Sequence, residues 1–60
     1  MKEIEVSIQF RMPENIHAKL KKISQSQLRS LNAQILFFVR EGIRQYENES
    51  GEIELHYEDL

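Results

Sequence analysis

Residues 5–13, EVSIQFRMP, alternate apolar and polar side chains and then stop at a proline. Val6, Ile8, Phe10 and Met12 fall on one face of an extended chain, with Ser7, Gln9 and Arg11 on the other. That period predicts a β-strand over about 5–12. From Pro13 the period changes. Proline suits a first helical position, where its missing N–H would have no intrahelical partner. Ile16, Leu20 and Ile23 follow at helical spacing and make one narrow apolar stripe. A first helix is therefore predicted over about 13–26, with Glu14 in its first turn and Lys21 and Lys22 near its end complementing the helix dipole. The polar stretch SQSQ, residues 24–27, ends the apolar pattern.

Ser30 is a good N-cap for a second helix, predicted over about 30–47. Ala33 stands where a capping box would need Glu or Gln. Leu31, Ile35, Phe38, Val39, Gly42, Ile43 and Tyr46 share one broad face, and ILFFV (35–39) is apolar without a break. Such a helix needs neighbours on several sides, and the narrow stripe of the first helix cannot cover it. A lone strand, meanwhile, has unpaired N–H and C=O groups along both edges. Pairing the strand with its copy in a second subunit, and packing the second helices together about a two-fold axis, resolves both problems. A monomeric helical hairpin leaves the alternation of residues 5–12 unexplained. The core expected in the homodimer is Val6, Ile8, Phe10, Met12, Ile16, Leu20, Ile23, Leu31, Ile35, Phe38, Val39 and Ile43.

The last residues, NESGEIELHYEDL, open with the turn formers Asn48, Ser50 and Gly51. Ile53, Leu55 and Tyr57 then alternate with Glu52, Glu54 and His56 in a strand-like period. Two readings of this acidic tail, residues 48–60, stay open. It is either solvated and mostly disordered, or a segment that becomes ordered against a partner.

Sixty residues allow one domain, with a core so modest that such a chain is marginal without help. There is no cysteine, so neither disulfides nor thiolate metal sites can supply that help. His17 and His56 stand far apart without ligand spacing, and no metal or cofactor is expected. Association remains. No apolar run approaches the roughly 20 residues of a membrane span, and MKEIEV lacks the apolar region of a signal peptide, so the chain is expected to be soluble and cytoplasmic. The net charge of −2 conceals a segregation. All eight Lys and Arg lie in residues 1–45 against four Glu, a net +4, while residues 46–60 carry five Glu and one Asp, a net −6. The first part could meet a polyanion and the second could not. No nucleophile–base pair is recognisable, so the chain is not expected to be an enzyme.

The alternating strand that ends in RMP, joined at fixed distance to RSLNAQI at residues 29–35, resembles the ribbon-helix-helix (Arc/MetJ/CopG-type) DNA-binding family. Within it the chain is most similar to the Arc repressor branch, over about Ser7 to Arg44. The resemblance implies one N-terminal β-strand and two α-helices per chain, in an intertwined homodimer with an intersubunit antiparallel two-stranded ribbon. The ribbon-helix-helix domain would be residues 1–47. In that family the outer face of the ribbon enters the DNA major groove, which implies base contacts from Ser7, Gln9 and Arg11. Their chemistry suits it. Arg can donate twice to guanine O6 and N7, Gln can pair with adenine N6 and N7, and Ser either donates or accepts. The family clamps the DNA backbone at the start of the second helix, here Ser30, Leu31 and Asn32. Lys21 and Lys22 are further phosphate candidates, and solvated charge on an exposed helix face describes them equally well.

The implied function is a transcriptional regulator, expected to be a repressor, on the double-stranded DNA of a palindromic operator, bound as one dimer or as two side by side. An alternative is an antitoxin-type DNA-binding protein whose tail, residues 51–60, binds a partner protein. The chain also departs from its branch. A buried Arg-Glu-Arg cluster there corresponds to Arg29, Gln34 and Phe38 here, so Phe38 is expected in the core. Leu28 replaces a glycine, and the steric cost of Leu at positive φ predicts a turn of another shape. Phe37 replaces a polar residue, either as a contact to a neighbour or folded on the rim of the core.

Overall fold

The computed structural model describes residues 4–60. Among them the regular elements are helix α1 (Glu14–Ser26), helix α2 (Leu31–Ser50) and a single 3-10 turn at Tyr57–Asp59. Pro13 takes the capping position of α1 rather than the first helical one, with an extended ψ of 145°. Its carbonyl accepts the first helical bond, from the His17 N–H at 3.0 Å. The helix continues past the end of the apolar stripe because Ser24 turns inward, its hydroxyl donating to the Lys21 carbonyl at 2.9 Å. Lys21 and Lys22 therefore stand a turn back from the C-terminus, and the last turn of α1 has no basic residue. Their expected role at the helix dipole is corrected accordingly, since that effect fades within the last turn.

The turn between the helices corrects a second expectation. Leu28 does adopt the left-handed conformation, at φ 55°. Three backbone bonds hold it there: Gln27 N–H to Ile23 O at 3.0 Å, Leu28 N–H to Gln25 O at 3.2 Å, and Arg29 N–H to Ser24 O at 2.9 Å. The last two are the nested pair of a Schellman motif, which needs a left-handed residue at this place. Closing those carbonyls offsets the roughly 1–2 kcal/mol that a side chain costs at positive φ.

The strand expected over 5–12 does not form, and residues 4–12 carry no regular secondary structure. A strand is held by the ladder it shares with a neighbour, and no second strand lies among the described residues of one chain. The segment starts along α2 instead, where Ile4, Glu5 and Val6 line a depression with Leu36 and Arg40. At the other end, α2 runs beyond position 47 to Ser50. Gly51, at φ 94°, stops it, with its N–H on the Glu47 carbonyl at 2.8 Å. The tail is stapled back by the Glu47 carboxylate, which accepts the Ile53 N–H at 2.9 Å. The period of Ile53, Leu55 and Tyr57 does not become a strand; the 3-10 turn closes the chain, with the His56 N–H on the Asp59 carboxylate at 3.0 Å.

The helices meet around Leu20 and Ser24 of α1 and Gln34 of α2, the buried residues among those described. Met12, Leu31 and Ile35 are half-buried, and the rest of the expected core, Phe38 included, is exposed in the single chain.

Candidate nucleic-acid interface

The start of α2 is the most fully built part of the site. Ser30 caps it with extended backbone, and its hydroxyl oxygen accepts the Ala33 N–H at 3.1 Å. Its carbonyl accepts the Gln34 N–H at 3.0 Å. Two N–H groups of the first turn, those of Leu31 and Asn32, remain without an intrahelical acceptor. The Ser30 hydroxyl, accepting from Ala33, still has its own proton to give. Three donors thus gather at the positive end of a twenty-residue helix. That is the chemistry of a phosphate clamp.

Ser7, Gln9 and Arg11 are exposed, on the segment that precedes α1. Their apolar alternates Val6, Ile8 and Phe10 are 80%, 77% and 63% exposed, so the single chain buries neither face. Lys21 and Lys22 line a shallow groove on α1 with Glu14, His17, Ala18 and Gln25. A family model for the Arc-like DNA-binding domain matches residues 7–48 of this chain. The chain belongs to that family. It is a ribbon-helix-helix DNA-binding protein of the Arc type. The match begins at Ser7 and so takes in both Gln9 and Arg11, the Schellman turn and nearly all of α2. No curated protein and no solved structure matches the chain significantly.

The Arc-like family is non-enzymatic, in keeping with a surface that binds rather than reacts. No cluster of His, Asp or Glu suited to a metal occurs among the described residues. No helix among them is long and apolar enough to cross a membrane. Two features of the Arc-like chain lay outside the reach of its residue pattern. Arg29, next to the clamp, lays its guanidinium 4.2 Å from the ring centre of Phe37, which meets Phe38 edge-on at 5.9 Å. Phe37 is thereby engaged by a cation, and remains 37% exposed. The second is Gln34, wholly buried with neither amide atom hydrogen-bonded. Its sequence signals are a polar residue set between Leu31 and Phe38 on an apolar face, and its correspondence to a member of the buried cluster of the Arc branch.

Proposed function

We propose that this Arc-like chain is a homodimeric, sequence-specific transcriptional repressor that places a two-stranded ribbon in the major groove of a palindromic operator. The observation that carries the reading is how little one chain covers by itself. Leu20 is the one buried apolar side chain among the described residues. The accessible surface, 6368 Å², is about half as large again as the roughly 4,100 Å² of a compact monomer of this mass. An excess of that size per chain is what an obligate dimer interface removes. Pairing residues 5–12 with their copy supplies the missing ladder, turns Val6, Ile8, Phe10 and Met12 into the shared core, and leaves Ser7, Gln9 and Arg11 pointing outward.

In the groove, Arg11 and Gln9 read base edges through paired hydrogen bonds and Ser7 through one. The clamp of Ser30, Leu31 and Asn32, with Lys22 and Lys21 behind it, fixes the register on the phosphates without reading sequence. Selection of bound sites from random duplex DNA tests the whole reading. A two-fold symmetric consensus is expected; enrichment of no sequence, or of an asymmetric one, would overturn it.

A second reading concerns the tail. The net −5 of residues 48–60 and the exposed Leu55, Tyr57 and Leu60 favour a partner protein with a basic, apolar-edged surface, as in an antitoxin-type regulator. Copurification of a partner that is lost on truncation after Ser50 supports this, and copurification independent of the tail counts against it.

A further inference from the structure

Gln34 has a burial and a chemistry that disagree. Its side chain is 0% exposed, yet neither Oε1 nor Nε2 has a hydrogen-bond partner. A carboxamide offers two donors and two acceptor lone pairs, and burying them unmatched forfeits all of their hydration. The side chains buried alongside it do not answer: Leu20 has no polar atom, and Ser24 has already given its proton to the Lys21 carbonyl. Nor does solvent reach the group. The missing partner has to come with whatever completes the core.

Gln34 lies at the edge of the open face of α2. Leu31 is three residues before it and Phe38 four residues after, on the same side of the helix, and Phe38 is 44% exposed. Whatever covers Phe38 arrives beside the amide. A second copy of this chain brings one group certain to match, because a primary amide is complementary to itself. The N–H of one donates to the C=O of the other and the converse, the reciprocal pattern that a two-fold axis generates.

We propose that Gln34 sets the pairing specificity of this chain: across the two-fold axis the two Gln34 carboxamides hydrogen-bond to each other, and the shared core admits its own copy in preference to a chain with an apolar residue there. The proposal rests on the homodimer reading above. The three rotatable bonds of Gln34 let its amide turn toward the facing helix. Opposite an apolar side chain the same amide stays buried and unmatched, so the mixed pair is the one penalised. A lone buried amide in a coiled-coil seam discriminates in the same way, at no gain in stability.

The test mixes isotope-labelled wild type with Gln34→Met, unfolds and refolds them together, and counts the dimers by native mass spectrometry. Both homodimers are expected, with the heterodimer about fivefold or more below its random share. A random share overturns the pairing, whatever the stability of the variant. Gln34→Leu repeats the measurement with a different apolar shape. Should neither variant fold, mixed-label NMR of the wild type decides: a cross-chain nuclear Overhauser contact from the Gln34 Nε2 protons to the other Gln34 is expected, and its absence overturns the pairing. A wild type that is monomeric strikes the homodimer reading itself, whereas a wild-type dimer that mixes at random strikes the Gln34 pairing alone.

Discussion

The chain alternates apolar and polar side chains twice, at residues 4–12 and again at 52–57, and the two stretches meet different fates. Neither is a strand in the single chain. The first has Glu, Ser, Gln and Arg between its apolar residues and no regular structure to hold it, while the second has Glu, Glu and His there and is stapled to α2 through Glu47. Alternation marks a segment able to pair. The charge of the polar face and the presence of an anchor decide with what. The first stretch, balanced in charge with Glu5 against Arg11, does not repel a polyanion, and its Ser7, Gln9 and Arg11 lie within the Arc-like match, whereas the acidic one held to its own helix is repelled by DNA.

The hardest blow to this contrast is Phe10→Asp. A carboxylate on the apolar face of the first stretch would have to be buried in the shared core, at a cost of several kcal/mol. Loss of the dimer in sedimentation equilibrium is expected, together with loss of operator binding. The matching change in the second stretch, Leu55→Asp, should leave both intact. If the two substitutions behave alike, the stretches are not different in kind.

Arg11→Ala comes next. With the fold unchanged by circular dichroism, binding to the selected operator should weaken by about 1–3 kcal/mol and preference at one base pair per half-site should blur. Equal affinity for wild type and variant would remove Arg11 from the groove. Ser30→Ala is smaller and differs in character. Removing the cap costs about 1 kcal/mol, or about 4–8 °C in Tm for a domain of this size. It should also weaken binding evenly on all sequences, since a phosphate contact reads none. A change in sequence preference would show that the start of α2 does more than clamp.

What could be read from residue order divides along the same line. The starts of both helices are local matters: Pro13 and Ser30 act within four residues of themselves, and their neighbours in sequence suffice to place them. Residues 5–12 form no strand, because a strand needs a hydrogen-bonded neighbour and none lies among the described residues, whatever the alternation of side chains. Leu28 departs from its residue-level expectation for a related reason. Its side chain argues against positive φ, but the two bonds of the Schellman pair, Leu28 N–H to Gln25 O and Arg29 N–H to Ser24 O, use backbone groups that the side chain does not reveal, and they prevail. Of the candidate site, the capped start of α2 and its free donors at Leu31 and Asn32 are legible because helix ends advertise them. The unmatched amide of Gln34 is not, because burial is a property of how α1 meets α2.

The smallest effect tests whether the two stretches act separately. Glu47→Ala removes the carboxylate that holds the Ile53 N–H at 2.9 Å, but leaves the Gly51 N–H on the Glu47 backbone carbonyl. The lost bond is exposed to solvent, so its net worth is at most about 1 kcal/mol, and alanine returns a few tenths through its better helix propensity. Tm should therefore barely move. Hydrogen exchange at the Ile53 amide should accelerate, since water replaces its acceptor, while exchange in the middle of α2 stays as it was. Specific DNA affinity should hold within about twofold, because the loss of one solvent-exposed charge is largely screened at physiological salt. A fall in affinity, strongest at low salt, would mean that the freed acidic tail competes with DNA for the ribbon, and the two alternating stretches would then be partners rather than opposites.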